Sequence, residues 1–154
     1  MDKSHLHLGC SPGKLVDSLR EADDLCSRRG GALTPLRRTV LTFLLEADRP
    51  IKAYDMLQRL RDDRSAKPPT IYRTLDFLIE MGLAHRIESL NSFVACGHWA
   101  HGHAAVFLLC DGCGSVGELH ASETHKKLAH DVSSVNFRMR SAVIEVRGLC
   151  RVCA

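Results

Sequence analysis

Little in this sequence indicates a membrane protein or an exported one. Residues 1–14 lack the continuous apolar segment of a signal peptide, and the longest apolar run, residues 104–110, is far shorter than a membrane span. We therefore expect a cytoplasmic protein. Disulfides are rare in that reducing compartment, so the 7 cysteines are better explained by metal binding.

Signatures of zinc enzymes are also missing. The chain contains neither an H-E-x-x-H motif nor the H-x-E and P-C-x-x-C combination of zinc deaminases. We expect no enzymatic activity, and a zinc enzyme built on His98, His101 and His103 is only an alternative. A dithiol redox protein that uses Cys110 and Cys113 is another.

A strong excess of charge of one sign is absent too. The net charge is only +3, so a nucleic-acid-binding surface would have to be a local basic patch. The 154 residues suffice for one ordinary domain or two small ones, and 45% apolar with 25% charged residues is a typical globular composition.

The strongest motif present is a pair of Cys-x-x-Cys sequences. Cys110 and Cys113 form the first, and Cys150 and Cys153 form the second, near the end of the chain. Each motif can present two sulfurs to one ion, and together they complete the tetrahedral four-cysteine shell of structural Zn²⁺. A small domain gains from such a link because it buries little surface on its own.

Apolar residues recur at helical spacing throughout the first half of the chain. The pattern predicts helices over residues 12–29, from 35 to about 47, over 53–60 and over 68–82. Gly30 and Gly31 are expected to end the first helix, and Thr34 to cap the second, which has Pro35 at its first position. Cys26 is expected to be a buried core thiol.

The period then changes from 3.6 to 2, which predicts short strands over residues 84–88 and 92–96 around a tight turn at Leu90 and Asn91. Helices followed by such a hairpin are typical of a winged helix-turn-helix domain. The second half predicts strands over residues 104–109, 115–119 and 141–147, with a helix over 122–131.

The predicted fold class is therefore α+β. A winged helix-turn-helix DNA-binding domain is expected over residues 1–96, of which 1–11 form a tail, followed by a hinge over 97–103. A small α/β dimerisation and metal-binding domain with the four-cysteine zinc site would then span residues 104–154. Exposed strand edges favour pairing with a second copy, so we expect a homodimer.

A second set of metal-binding residues can be chosen by their places in this topology: His85, Cys96, His103 and Glu118. With a hairpin turn of even length, His85 would lie opposite Cys96, and the other two would face the hinge. One sulfur, two nitrogens and one oxygen suit Zn²⁺ and leave no open position for catalysis. His101 could replace Glu118 as the fourth ligand.

The fourth predicted helix is the natural DNA reader of a winged helix. Tyr72 and Arg73 lie in its first turn, on the face opposite its apolar residues. Arginine can bind a guanine edge with two hydrogen bonds, and tyrosine can contact a thymine methyl or a phosphate. Candidate phosphate contacts are Arg28, Arg29, Arg37, Arg38 and Lys67.

Several stretches resemble the ferric uptake regulator family of metal-sensing, winged-helix repressors, and within it the zinc-uptake branch. The likeness covers about residues 14–154. It is carried by Leu33-Thr-Pro-Leu-Arg37, Pro69-Thr-Ile-Tyr-Arg73-Thr-Leu-Asp-Phe-Leu78, Gly82-Leu-Ala-His85-Arg-Ile-Glu-Ser, Ser92-Phe-Val-Ala-Cys96, Cys110-Asp-Gly-Cys-Gly114 and Cys150-Arg-Val-Cys153.

This resemblance implies a regulator with two Zn²⁺ per chain, one structural in the four-cysteine site and one regulatory at His85, Cys96, His103 and Glu118. It also implies a homodimer that binds AT-rich palindromic operators in double-stranded DNA and represses zinc-uptake genes. Thr70, Tyr72 and Arg73 match the family's recognition helix. A sibling that senses iron, manganese or peroxide is the nearest alternative.

Overall fold

A computed structural model describes residues 12–97, 105–139 and 142–154. They form two compact units, of which the first ends at Gly97. We call residues 12–97 the N-terminal unit and the described residues between 105 and 154 the C-terminal unit. The predicted α+β class is confirmed. The predicted domain limits stay predictions, because residues 98–104 lie outside the described part.

The N-terminal unit begins with four helices, as the periodicity predicted. They are α1 (Pro12–Arg28), α2 (Pro35–Glu46), α3 (Ala53–Arg59) and α4 (Pro68–Glu80). Gly30 ends α1 as expected: its φ of 74° favours glycine, and it allows the Gly31 N–H to donate to the Cys26 carbonyl at 2.8 Å.

The expected side-chain cap of α2 is wrong. Thr34 occupies the N-cap position, but its side chain makes no capping hydrogen bond. The helix starts at Pro35, whose ring fixes a helical φ, and the Thr34 carbonyl accepts the Arg38 N–H at 2.9 Å. The start of α2 therefore depends on the proline and the backbone.

The core of the N-terminal unit lies between the helices. Helix α1 packs on α2, and α2 and α3 both pack on α4. In α3, Met56 is fully buried and Leu57 only partly, although Leu57 follows the helical spacing set by Ala53 and Leu60. Cys26 has no exposed surface, as predicted for a core thiol. The other completely buried side chains of these helices are Ala22, Val40, Leu41, Ile71, Leu75 and Leu78.

A hairpin follows α4, formed by β1 (Ala84–Ile87) and β2 (Ser92–Ala95). A 3-10 turn over Glu88–Leu90 and the left-handed Asn91, at φ 46°, connect the strands. Ile51 adds a bridge to this hairpin, since its N–H and C=O bond the backbone of Phe93 at 2.9 and 2.8 Å. The sequence pattern did not indicate this bridge.

The register of the hairpin corrects one expectation. His85 lies opposite Val94 and not opposite Cys96, because the connection has four residues where a two-residue turn was expected. The length is still even, and successive side chains alternate between the two faces of a strand. Cys96, two residues beyond Val94, therefore comes to the same face as His85, diagonally across the hairpin.

The C-terminal unit consists of β3 (Ala105–Cys110), β4 (Val116–His120), α5 (Ser122–Ser134) and β5 (Ile144–Gly148). Its sheet has the order β4-β3-β5, with β3 antiparallel to β4 and parallel to β5. The predicted elements are all present, but α5 ends three residues later than residue 131 and β5 begins three residues later than residue 141. Parallel neighbours require a crossover, which β4 and α5 provide.

Among these described helices, none combines the length and the apolar character needed to cross a bilayer.

Replacing Leu75 with alanine tests the core around α4. Leu75 is 0% exposed, so its truncation should lower the free energy of unfolding by about 2–5 kcal/mol. Urea denaturation followed by circular dichroism at 222 nm measures the change. The control is Asp76→Ala on the exposed face of the same helix, which should change the stability by less than about 0.5 kcal/mol. Equal losses in the two variants would contradict the assigned faces.

Candidate metal centre and nucleic-acid interface

The parallel pairing of β3 and β5 brings the two Cys-x-x-Cys motifs together. Cys110, the last residue of β3, lies opposite Gly148, the last residue of β5. Parallel strands end at the same edge of a sheet, so both motifs follow at that edge. The Asp111 N–H also donates to the Gly148 carbonyl at 2.8 Å, which joins the two turns.

The four sulfurs of these motifs form a compact cluster. The Sγ atoms of Cys110, Cys113, Cys150 and Cys153 lie within 4.8 Å of one another, and those of Cys113 and Cys150 are 3.8 Å apart. A tetrahedral ion with Zn–S bonds of ~2.3 Å separates its sulfurs by about 3.8 Å, whereas bonded sulfurs are ~2.05 Å apart. The donor set and the spacing therefore fit Zn²⁺ and not a disulfide.

Hydrogen bonds orient individual sulfurs. The Cys150 N–H donates to Cys110 Sγ at 3.2 Å, and Ser115 Oγ lies 2.9 Å from Cys113 Sγ. An ion pair also joins the two motifs, because Arg147 donates to Asp111 Oδ1 from Nη2 at 2.6 Å and from Nε at 3.1 Å.

The pKa values of the thiols in the cluster are shifted in opposite directions. Backbone N–H groups, above all that of Cys150, lower the pKa of Cys110 to about 6. The hydroxyl of Ser115 lowers the pKa of Cys113. Hydrogen bonding with Cys150, burial and the nearby sulfurs raise the pKa of Cys153 to about 12. Four sulfurs this close cannot all ionise unless a cation offsets their repulsion, which is what a divalent metal does.

A second pair of candidate metal ligands lies on the hairpin of the N-terminal unit. One ring nitrogen of His85 and Cys96 Sγ are no more than 4.8 Å apart. In a tetrahedral shell, Zn–N and Zn–S bonds of ~2.1 and ~2.3 Å place the two donors about 3.6 Å apart, which lies within this limit. Cys96 is buried, and its N–H donates to the Leu83 carbonyl at 2.9 Å, which continues the ladder past Ala95.

The other predicted ligands of the regulatory site belong to different parts of the chain. Glu118 lies on β4 of the C-terminal unit, opposite Phe107, and is partly exposed. His103 and the alternate ligand His101 fall outside the described residues, as does His98. The complete regulatory set therefore stays a prediction.

The two faces of α4 are divided as the helical period predicted. Ile71, Leu75 and Leu78 are fully buried. Tyr72, at 50% exposure, and Arg73 lie on the exposed face, within the first turns of the helix. Thr70 is partly exposed and Lys67, at the N-cap, is exposed. The first turns of α4 thus present aromatic, hydroxyl and cationic groups to solvent.

The two arginines expected to contact phosphates from α2 are engaged within the N-terminal unit. The Arg37 guanidinium lies 3.4 Å from the centroid of the Phe77 ring, and its Nη1 donates to the Ala32 carbonyl at 2.7 Å. Arg38 pairs with Asp23 at 3.0 Å. Their phosphate-binding role stays a prediction, but these contacts already give both side chains a part in helix packing.

One side chain at the four-cysteine cluster was not indicated by the sequence patterns. Ser115 follows Cys113 by two residues, and only the fold shows that its hydroxyl meets the sulfur.

With this geometry in view, comparison with known proteins gives a consistent result. The model of the ferric uptake regulator family matches residues 28–147. The chain is 41% identical over 138 residues to the zinc uptake regulation protein of Escherichia coli K12, covering 88% of this chain and 80% of that protein. The same values hold for the protein of that name from Shigella flexneri.

Solved structures give the same family. A zinc uptake regulator complexed with zinc and DNA is similar with a TM-score of 0.84 and 39% identity, covering 89% of this chain and 93% of that one. Holo XcZur is similar with a TM-score of 0.81 and 39% identity, covering 88% and 95%. The chain therefore belongs to the ferric uptake regulator family, a family of regulators and not of enzymes.

Proposed function

We propose that the chain is a cytoplasmic, zinc-responsive transcription regulator that binds operator DNA as a zinc-loaded homodimer and represses zinc-uptake genes. The observation that carries this proposal is the approach of His85 and Cys96 to within 4.8 Å on the hairpin that directly follows α4. A metal bound there would be held next to the helix that reads DNA. A relative solved with zinc and DNA supports the same function.

The donor types favour zinc over the metals sensed by siblings. A thiolate disfavours Mn²⁺ and other hard cations, whereas one sulfur with imidazole nitrogens suits Zn²⁺. The proposed regulatory set is His85, Cys96, His103 and Glu118, with His101 as the alternate fourth ligand. Together with the structural ion of the four-cysteine cluster, this gives two Zn²⁺ per chain.

The proposed DNA contacts come from the start of α4. Arg73 can bind the O6 and N7 atoms of guanine, and Tyr72 can contact a thymine methyl or a phosphate. Thr70 and Lys67 lie where the helix begins and can reach the phosphates of the DNA backbone. The first turns of a recognition helix are the part that enters the major groove in helix-turn-helix proteins.

A homodimer is supported by the C-terminal unit. Strands β4 and β5 are the edges of its three-stranded sheet, and unpaired edges invite pairing with another chain. Exposed apolar side chains include Val146 on β5, Val143 and Leu149 directly beside it, and Phe137 between α5 and β5. Two copies related by a two-fold axis would read a palindrome, and we propose an AT-rich one.

Zinc dependence then follows from coupling between the two units. Bound zinc supplies a fixed coordination shell that holds ligands from both units. His85 and Cys96 would contribute from the hairpin, and Glu118 from β4. If the DNA-competent arrangement binds the ion about 100-fold more tightly than the other arrangements do, bound zinc raises the affinity for DNA by the same factor. This factor corresponds to about 2.7 kcal/mol.

Replacing Cys96 with serine tests the zinc response. The wild-type chain should bind an AT-rich palindromic duplex about 100-fold more tightly in buffered free zinc than without it, and Cys96→Ser should lose most of this gain. Fluorescence anisotropy of labelled duplex gives both affinities. Cys26→Ala, which removes a buried thiol of the α1 core, is the control and should keep the response.

Equal DNA affinity of the wild type with and without regulatory zinc, while the four-cysteine ion stays bound, would contradict the switch. A response to Fe²⁺ or Mn²⁺ that exceeds the response to Zn²⁺ would instead indicate a sibling sensor.

Replacing Gly112 with alanine tests the four-cysteine zinc. A Cβ at Gly112 would lie 2.8 Å from Cys153 Cβ and 3.0 Å from its Sγ, so the ligand must move. We expect about tenfold weaker zinc retention against a chelator, measured as metal per chain by atomic emission. Gly148→Ala is the matched control, because its Cβ would meet nothing within 4 Å. Equal retention in both variants would argue against Cys153 as a ligand.

The salt dependence of DNA binding tests the role of Arg37. Because its guanidinium lies on Phe77, Arg37→Gln should lower stability by about 1 kcal/mol and leave the slope of log affinity against log salt unchanged. Lys67→Gln should reduce that slope by about 0.9, the value for one neutralised phosphate. A similar reduction in Arg37→Gln would show that Arg37 binds a phosphate after all.

A further inference from the structure

In the four-cysteine cluster, the hydroxyl of Ser115 lies directly against a sulfur. We propose that Ser115 is a positioning residue of this zinc site, whose hydroxyl holds the Cys113 thiolate and slows release of the ion. This inference rests on the structural zinc site of the proposed function.

The direction of the hydrogen bond follows from the chemistry of the sulfur. Ser115 Oγ and Cys113 Sγ are 2.9 Å apart. A metal-bound cysteine is a thiolate and has no proton to give, so the hydroxyl must be the donor. Ser115 is only 5% exposed, so water cannot readily replace the sulfur as its partner.

The backbone holds this hydroxyl in place. The Ser115 carbonyl accepts the Cys110 N–H at 2.9 Å, and the Gly114 N–H donates to the Cys110 carbonyl at 2.9 Å. Both bonds tie the residues after Cys113 to the end of β3. These backbone bonds therefore fix the position of Ser115, and its hydroxyl contacts the sulfur of Cys113.

Cys113 lies on the exposed side of the cluster, where a hydrogen bond to the sulfur can affect release of the ion. Cys110 and Cys150 are buried, whereas Cys113 and Cys153 are partly exposed. A competing ligand would reach the ion from the exposed side, and Cys113 is one of the two residues there. The hydrogen bond to Cys110 comes from a backbone N–H, which no side-chain substitution can remove. The hydrogen bond to Cys113 comes from the Ser115 side chain, so a substitution can test it. Outer hydrogen bonds of this kind typically change metal affinity by 10–100-fold.

The test compares zinc release from the full-length, zinc-loaded wild type, Ser115→Ala and Ser115→Thr. Excess 4-(2-pyridylazo)resorcinol traps the released ion, and the phase that Cys113→Ser lacks identifies the four-cysteine zinc. We expect release from Ser115→Ala to be about tenfold faster and release from Ser115→Thr to be close to the wild-type rate. In the Co²⁺-substituted protein, the sulfur-to-metal charge-transfer band should shift in Ser115→Ala and not in Ser115→Thr.

A matched pair covers the case in which Ser115→Ala does not fold. Thr and Val have nearly the same shape and differ by the hydroxyl, so Ser115→Val should release zinc about tenfold faster than Ser115→Thr. Equal release rates and equal Co²⁺ spectra with and without the hydroxyl would overturn the inference and leave the zinc site intact. Tight zinc binding of unchanged stoichiometry in Cys113→Ser would overturn the zinc assignment, and the role of Ser115 with it.

Discussion

The parallel pairing of β3 with β5 is the constraint on which the C-terminal unit depends. It places Cys110 beside Gly148, so two motifs separated by almost 40 residues of chain leave the sheet at one edge. The ion pair of Arg147 with Asp111 and the hydrogen bond from the Cys150 N–H to Cys110 then hold the turns together. A bound metal would close a loop of chain that contains β4, α5 and β5, which suits a unit of three strands and one helix with little core of its own.

Helix α4 is equally important in the N-terminal unit, because one of its faces forms part of the core and the other is exposed to solvent. Its buried residues contact α2 and α3, while Tyr72 and Arg73 face solvent on the other side. Two of the arginines near α4 make contacts within the N-terminal unit. Arg29 donates to the Met81 carbonyl at 2.7 Å and Arg37 stacks on Phe77, so these cations hold the helix. Fewer positively charged side chains are therefore available to contact DNA than the count of arginines indicates.

The hairpin keeps His85 and Cys96 on one face although its register differs from the expected one. A connection longer by two residues moves Val94 into the place expected for Cys96, yet both lie on the face of His85. A change of one residue would have turned the thiol to the opposite face and separated the two donors. The parity of the connection, more than its length, thus keeps this donor pair together.

The sequence by itself determined the α+β class, the helices, the faces of α4 and the four-cysteine motif, because helical period and Cys-x-x-Cys spacing are properties of neighbouring residues. The resemblance of its motifs added the family. Only the tertiary structure decided that β5 pairs with β3, that Arg37 lies on Phe77 and that the Ser115 hydroxyl meets Cys113. Strand partners and cation contacts join distant residues, and even the hydroxyl reaches its sulfur only through a particular turn, so no local pattern specifies them.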